Sequence, residues 1–205
     1  MRSRILGVGI NDADYQTCIT EKVVDSTGRM RNKTVWICPI YSIWLNMIKR
    51  CYSEKSKRKG KTYVGCTVIE EWLLFSNFKA WVEQQNWEGK QLDKDILFPG
   101  NKIYSPETCV FVDQRVNNFI LENQAKRKFS IGVTWHKRAN RFLSQCKQLG
   151  GGNKYLGLFE TEEAAHKAWL KEKLRLAYIL AEQQDDPRVA KALIDRYENY
   201  REYNK

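Results

Sequence analysis

Between residues 129 and 135, apolar side chains recur at every second position. Ile131, Val133 and Trp135 alternate with smaller or polar residues, which is the period of a half-buried β-strand. Residues 141–147 and 154–159 predict two further strands, the last one after a glycine-rich turn. Thr161 then precedes a helical stripe of Ala, Trp and Leu, with acidic residues in the first turn. The pattern predicts a three-stranded sheet followed by one helix.

Helical spacing of apolar residues appears in three other places. A predicted helix over residues 41–51 carries its apolar residues on one face, at Tyr41, Trp44, Leu45 and Ile48. Regularly spaced aromatics over residues 70–85 predict a second, buried helix. Asp186 as N-cap and Pro187 at the first helical position start a last helix. We expect this last helix to pack on the preceding helix, with a dimer contact as the alternative.

Short strands are predicted in two further regions. Residues 17–24 and 33–38 form a pair, and residues 91–123 read as strand, turn, loop, strand and helix, which is a ββα unit. The fold class is therefore α+β. Its predicted parts are an N-terminal extension with short strands (1–39), a helical and ββα module (40–125), a three-stranded sheet plus helix (126–184) and a C-terminal helix (185–205).

The chain is strongly basic, and much of its positive charge is concentrated. Its 205 residues carry a net charge of +11. Residues 126–154 hold eight Lys or Arg and no Asp or Glu, interleaved with aromatic and apolar side chains, and a second basic run lies at residues 55–61. Such a surface favours an anionic partner, most simply double-stranded DNA. RNA is a weaker expectation, because no aromatic pair typical of RNA-binding sheets is evident.

Neither membrane insertion nor a zinc site is predicted. No apolar run approaches the roughly 20 residues that a bilayer-spanning helix needs, and the first residues lack the apolar segment of a secretory signal. We therefore expect a cytoplasmic protein. The six cysteines form no Cys-x-x-Cys pair and no ligand cluster with the two histidines, so they are expected to be mostly buried, reduced side chains.

The predicted sheet and helix resemble the AP2 domain, a three-stranded DNA reader of plant regulators and phage proteins. The residues that carry the resemblance are Gly132-Val133, Trp135, Arg141-Phe142, Tyr155 and the run LGLFETEEAA over residues 156–165. In that family the sheet lies in the major groove, and its Arg and Trp side chains meet bases and phosphates. The resemblance implies these roles for Trp135, Arg138, Arg141 and Gln145.

The sheet face that the helix leaves free is expected to bind DNA. Its predicted residues are Trp135, Lys137, Arg138, Arg141, Gln145 and Lys147, preceded by Lys126, Arg127 and Lys128. In the alternative interpretation, Trp135 and Phe142 belong to the core and the charged side chains are merely solvated.

The ββα order resembles the HNH nucleases, which cleave DNA with one divalent ion. In that family the first strand ends in a histidine that activates water, an Asn follows in the loop, and the helix offers a His or Asn to the metal. The matching residues in this chain are Asp93, Lys94 and Asp95, then Asn101, then Asn117 or Asn118. The expected general base is missing, since the histidines lie at positions 136 and 166. Lysine is a poor base unless its pKa is strongly depressed.

A wider set of residues is similar to a family of phage proteins often labelled HNH endonuclease or AP2-domain protein. With the AP2 match, this resemblance covers about residues 36–178. It includes Tyr41, Trp44, Arg50-Cys51-Tyr52, Glu71-Trp72, Leu92-Asp93, Gly100-Asn101, Tyr104-Ser105-Pro106-Glu107 and Asn117-Asn118. A phage-encoded chain is expected in the host cytoplasm.

Three functions are compatible with these patterns. The first is a phage-type DNA-binding protein with a degenerate HNH-like module and an AP2-like reader, without a cofactor. The second is an active homing or nicking endonuclease, in which Asp93, Asp95, Asn101 and Asn118 hold Mg²⁺ or Mn²⁺. The third is a phage antagonist that binds a host or rival protein. The missing histidine argues against the second, and the sequence does not separate the first from the third. In a module that does not cut, we expect the two carboxylates to pair with Lys94, Lys102 or Arg115 rather than with a metal.

Overall fold

The structure is a computed structural model that describes residues 4–54, 63–120 and 128–200. It is mixed α+β, as the sequence predicts, with nine strands and five α-helices in these residues. The chain divides into two compact units, Met1–Val112 and Asp113–Lys205. Within the described residues, no helix combines the length and the apolar character that crossing a membrane requires.

The first unit combines two helices with three pairs of short strands. Strands β1 (Cys18–Val24) and β2 (Met30–Ile37) form an antiparallel hairpin, as predicted. Helix α1 (Pro39–Tyr52) follows, and α2 (Phe75–Val82) is preceded by a 3₁₀ helix, Glu70–Leu73. Strand β3 (Thr67–Val68) runs parallel to β5 (Ile103–Tyr104), and β4 (Gln91–Asp93) runs antiparallel to β6 (Val110–Val112).

Aromatic side chains form the centre of the first unit. Trp44 is fully buried, and its indole Nε1 donates a hydrogen bond to the carbonyl of Trp72 at 2.7 Å. Phe75 packs edge-on against Tyr41, with ring centroids 5.2 Å apart. The backbone of Gly9 approaches Trp44 so closely that a Cβ there would lie 3.1 Å from the indole. The predicted core role of these aromatics is confirmed.

The predicted single helix over residues 70–85 is wrong, because the chain breaks at Leu74. Leu74 is extended (φ −87°, ψ 127°) and forms a parallel bridge with Ile10. The Ile10 amide donates to the Leu73 carbonyl, and the Phe75 amide donates to Ile10. Asp12 then accepts a hydrogen bond from the Ser76 amide at 2.8 Å. The N-terminal segment therefore satisfies backbone groups that a continuous helix would have used internally.

The second unit is built around a three-stranded antiparallel sheet in the order β7-β8-β9. Its elements are α3 (Gln114–Ile120), β7 (Val133–His136), β8 (Arg141–Lys147), β9 (Asn153–Phe159), α4 (Glu162–Ala181) and α5 (Pro187–Glu198). The predicted three strands and two helices of this region are confirmed. The helix of the predicted ββα unit belongs to this second unit, whereas its strands belong to the first.

Two side-chain caps and one aromatic contact explain how α4 and α5 are placed. Thr161 accepts a hydrogen bond from the Ala164 amide at 3.1 Å, and Asp186 accepts one from the Arg188 amide at 2.9 Å, as N-caps do. Helix α5 packs on α4, where Tyr197 lies edge-on to Trp169. The expected packing of the last helix on the preceding one is confirmed.

Candidate nucleic-acid interface

Strand register divides the β7-β8-β9 sheet into two chemically different faces. Val133 pairs with Ser144, and both are buried with Cys146 on the side covered by α4. Because successive side chains of a strand point to opposite faces, the alternate residues of β8 share the other face. Arg141, Leu143, Gln145 and Lys147 lie on it, and we call it the outer face.

The outer face combines charged ends with a less polar centre. The Arg141 side chain is 50% exposed at one end of β8, and Lys147 is exposed at the other. Between them, Leu143 pairs with Leu158, and Gln145 pairs with Tyr155, which is 60% exposed. Six residue steps of about 3.3 Å separate Arg141 from Lys147, so the face is about 20 Å long.

The predicted placement of Trp135 on this face is wrong. Trp135 pairs with Phe142 and therefore lies on the same side as Val133 and Ser144. Its ring packs edge-on against Phe142 with centroids 4.8 Å apart, and Phe129 packs on Phe142 from another direction. This packing agrees with the alternative interpretation, in which Trp135 and Phe142 belong to the core. Trp135 nevertheless keeps 39% of its surface exposed.

Tyr155 is an outer-face residue whose position the sequence reasoning missed. If side chains alternated strictly along β9, Tyr155 would lie on the same side as Phe159, which is the side covered by α4. The register between β8 and β9 shifts at Ser144 and Gln145, so that Leu156 has no partner and Tyr155 turns to the outer face. Gly157, next to the shift, has a φ of +135°. A glycine inside a predicted strand is the signal that indicates such a bulge.

Of the five remaining predicted DNA-binding residues, three are exposed and two are outside the described residues. Lys137 and Arg138 are exposed in the turn between β7 and β8, and Lys128 is exposed beside the Phe129 ring. Arg141 lies 3.4 Å from Glu160, but both side chains are exposed, and such surface pairs are weak. Lys126, Arg127 and the basic run at residues 55–61 lie outside the described residues.

In the first unit, the residues that match the HNH pattern surround a buried lysine. The Lys94 side chain is 3% exposed, and its Nζ donates to Asp95 Oδ1 and to the Asn101 carbonyl, both at 2.6 Å. The Asn101 amide nitrogen donates to the carbonyls of Lys94 and Ile103. Lys94 and Asn101 thus tie together the two ends of the loop that separates them.

Asp93 serves the same loop through its carboxylate. Its Oδ1 accepts hydrogen bonds from the backbone amides of Asp95 and Ile96, each at 2.7 Å. Burial raises the pKa of the Asp93 carboxyl group, and these two hydrogen bonds act in the opposite direction. Asp93 therefore caps backbone amides, whereas the sequence predicted a pairing with a basic side chain.

The arrangement around Lys94 does not fit a divalent cation. An ammonium group occupies the position next to the Asp95 carboxylate, where it repels a second cation. Asn118, the fourth predicted ligand, lies in the second unit, where its Oδ1 accepts a hydrogen bond from the Gln114 side chain at 2.9 Å. In the described part of the chain, no three His, Cys, Asp or Glu side chains form a group that can hold a metal ion.

The cysteines are free thiols. Four of them, Cys51, Cys66, Cys109 and Cys146, are buried, and Cys18 and Cys38 are half-buried. Burial raises the pKa of Cys51 and of Cys109 to about 12, so both are neutral at physiological pH.

No protein-family model, curated protein or solved structure matches this chain. The AP2 and HNH resemblances therefore stay predictions from the sequence.

Proposed function

We propose that the protein binds double-stranded DNA, and that the outer face of the β7-β8-β9 sheet acts as an AP2-like reader. The observation that carries the proposal is the alignment of Arg141, Gln145 and Lys147 on one open face, opposite α4. Guanidinium and amide groups are the side chains that recognise guanine and adenine edges in the major groove, and lysine ammonium groups bind phosphates.

The dimensions of the sheet support this proposal. Two strand spacings of about 4.8 Å make a three-stranded sheet about 10 Å wide, and the major groove of B-DNA is about 12 Å wide. A length of about 20 Å corresponds to roughly six base pairs at 3.4 Å per pair. The half-buried Leu143 and Leu158 at the centre of the face offer apolar contact to thymine methyl groups.

The charge distribution supports the same proposal. Residues 128–159 include Lys or Arg at six positions and contain no acidic residue. Glu160, just after this segment, meets Arg141 only through an exposed ion pair, which solvent and salt weaken. The outer face therefore keeps a positive potential that attracts phosphates.

Selection of bound duplexes from a random pool, followed by affinity measurement, tests the proposal. Arg141→Ala should cost roughly 1–3 kcal/mol on the selected sequence and relax the preference at one base pair. Lys171→Ala is the matched control, because it removes one positive charge from the exposed side of α4 in the same unit. Its affinity should stay close to that of the wild type. If both variants lost the same amount of affinity for every duplex sequence, only nonspecific electrostatic binding would be left.

We further propose that the HNH-like region is a scaffold that does not cleave DNA. The pairing of the buried Lys94 with Asp95 and the amide-capping role of Asp93 support this proposal. Supercoiled plasmid incubated with the protein and Mg²⁺ or Mn²⁺ should stay intact. Metal-dependent nicking that disappears in Asp95→Ala or Asn118→Ala would instead establish an endonuclease.

A further inference from the structure

A cleft of about 450 Å³ lies in the second unit, next to the end of the sheet. Arg115 and Asn118 of α3 line one side, and Gln148 and the glycine-rich turn after β8 line another. Lys147 is the last residue of β8 and lines the cleft as well. The cleft therefore adjoins the outer face at this residue.

The side chains around the cleft have a consistent chemical character. None of its ten lining residues is acidic. Three are basic and three carry amides: Arg115, Lys147, Lys173, Gln114, Asn118 and Gln148. Phe119 and Leu149 add apolar surface. The cleft thus offers positive charge, paired donors and acceptors, and an apolar wall to one ligand.

Lys173 contributes a positive charge that is fixed in position. It is buried, its Nζ donates to the Phe119 carbonyl at 2.8 Å, and the same Nζ lies 3.8 Å from the centre of the Phe119 ring. A buried charge is screened less by salt than an exposed one. The Gln114 side chain meanwhile donates to Asn118 Oδ1, which holds these two amides side by side on α3.

We propose that this cleft binds a nucleoside phosphate. Arg115 and Lys147 bind the phosphate, the amides of Asn118 and Gln148 bind the polar edge of the base, and the apolar wall contacts the face of the base. The volume lies in the range of sites that enclose ligands of nucleotide size. The ligand has two possible sources, a free mononucleotide or a nucleotide of the DNA strand held on the outer face. The second source rests on the proposed DNA-binding function, whereas the first does not.

Calorimetric titration of the full chain with dAMP, dGMP, dCMP and dTMP tests the first source. Deoxyadenosine and inorganic phosphate serve as probes that lack one half of the ligand. If the ligand is a free mononucleotide, at least one of the four should bind more tightly than deoxyadenosine and more tightly than inorganic phosphate. It also predicts that Arg115→Ala weakens this binding by about tenfold, as expected for a lost charge-assisted hydrogen bond. Asn118→Leu provides a second variant, at an exposed position that does not depend on the Arg115 contact with Gln183.

Duplex binding by the same variants tests the second source. If the ligand is part of the DNA strand, mononucleotides bind no better than phosphate, but Arg115→Ala and Asn118→Leu each weaken duplex binding. Arg115→Ala should then also make the slope of log K against log salt concentration shallower by about 1, as expected for the loss of one phosphate contact. Arg141→Ala should weaken duplex binding under either source while leaving mononucleotide binding unchanged. Lys171→Ala should change neither.

The two proposals fail in different ways. Unchanged mononucleotide and duplex affinities in both folded cleft variants would overturn the cleft proposal alone. Phosphate that binds as tightly as every mononucleotide, together with unchanged duplex binding, would overturn it as well. Absence of duplex binding by the wild type would overturn the proposed function, and the mononucleotide titration would still decide the cleft.

Discussion

Gly132 and Trp169 are in direct contact where α4 crosses the sheet. A Cβ atom placed on Gly132 would lie 2.1 Å from Cδ1 of the Trp169 indole. Gly132 also has a φ of +79°, a conformation that residues with a Cβ rarely adopt. Two independent requirements therefore exclude any side chain at this position.

Gly132→Ala should destabilise the second unit by about 2–5 kcal/mol, from backbone strain and the displacement of Trp169. Urea unfolding followed by tryptophan fluorescence measures the effect. Gly150→Ala is the matched control, because nothing lies within 4 Å of a Cβ there and its φ is not positive. It should change stability by less than about 0.5 kcal/mol. Equal stabilities for the two variants would contradict the described contact.

Asp93 offers a direct distinction between a backbone cap and a metal ligand. Asp93→Asn keeps the Oδ1 acceptor for the two amides and removes a buried charge, so the variant should be at least as stable as the wild type at pH 7. Asp93→Ala leaves both amides without their acceptor and should cost about 1–3 kcal/mol. Chemical denaturation of the three proteins decides this point. A large loss of stability in Asp93→Asn, accompanied by a loss of cleavage activity, would favour the endonuclease.

Glu172 makes the second unit sensitive to acid. The Arg175 side chain donates hydrogen bonds to the buried carboxylate, and with Lys154 it lowers the pKa of Glu172 from 4.5 to about 2. Because the folded-state pKa lies below the unfolded one, this contribution to stability is present above pH 4.5. It is lost as the pH falls towards 2. Unfolding free energies measured across this range should fall more steeply for the wild type than for Glu172→Gln. Parallel pH profiles would show that the ion pairs contribute nothing.

Tyr155 and Trp135 should respond differently in DNA binding. Tyr155→Ala removes an outer-face side chain and should weaken duplex binding by about fivefold, equivalent to one contact of ~1 kcal/mol. Trp135→Leu should instead lower stability by about 1 kcal/mol through the lost edge contact with Phe142, with duplex affinity retained. The opposite result, in proteins that are both fully folded, would reverse the assignment of faces.

Local patterns predicted the second unit well because its determinants are close together in the sequence. Thr161 caps α4 three residues away, Asp186 caps α5 two residues away, and β8 pairs with strands on either side of it. Alternation identified these strands. It did not identify which face α4 covers, and so Trp135 was placed on the wrong side.

Contacts between residues that are distant in the sequence explain the features that local patterns did not predict. The predicted second helix is interrupted at Leu74 because Ile10, more than sixty residues earlier, hydrogen-bonds to the Leu73 carbonyl and the Phe75 amide on either side of it. The role of Lys94 depends on the Asn101 carbonyl and on burial, neither of which a motif comparison contains. The cleft beside Lys147 is formed by residues from three separate segments, none of which carries a recognisable nucleotide-binding motif.

Salt dependence of duplex binding tests the central claim most directly. With four to six phosphates contacted, the logarithm of the association constant should fall against the logarithm of salt concentration with a slope of about −4 to −5. Fluorescence anisotropy with a labelled duplex measures this slope for the wild type, Lys147→Ala and Lys171→Ala. Lys147→Ala on the outer face should make the slope shallower by about 1, and Lys171→Ala on α4 should leave it unchanged. A salt-independent affinity, an absence of duplex binding at low salt, or equal slopes for all three proteins would contradict DNA binding through the outer face.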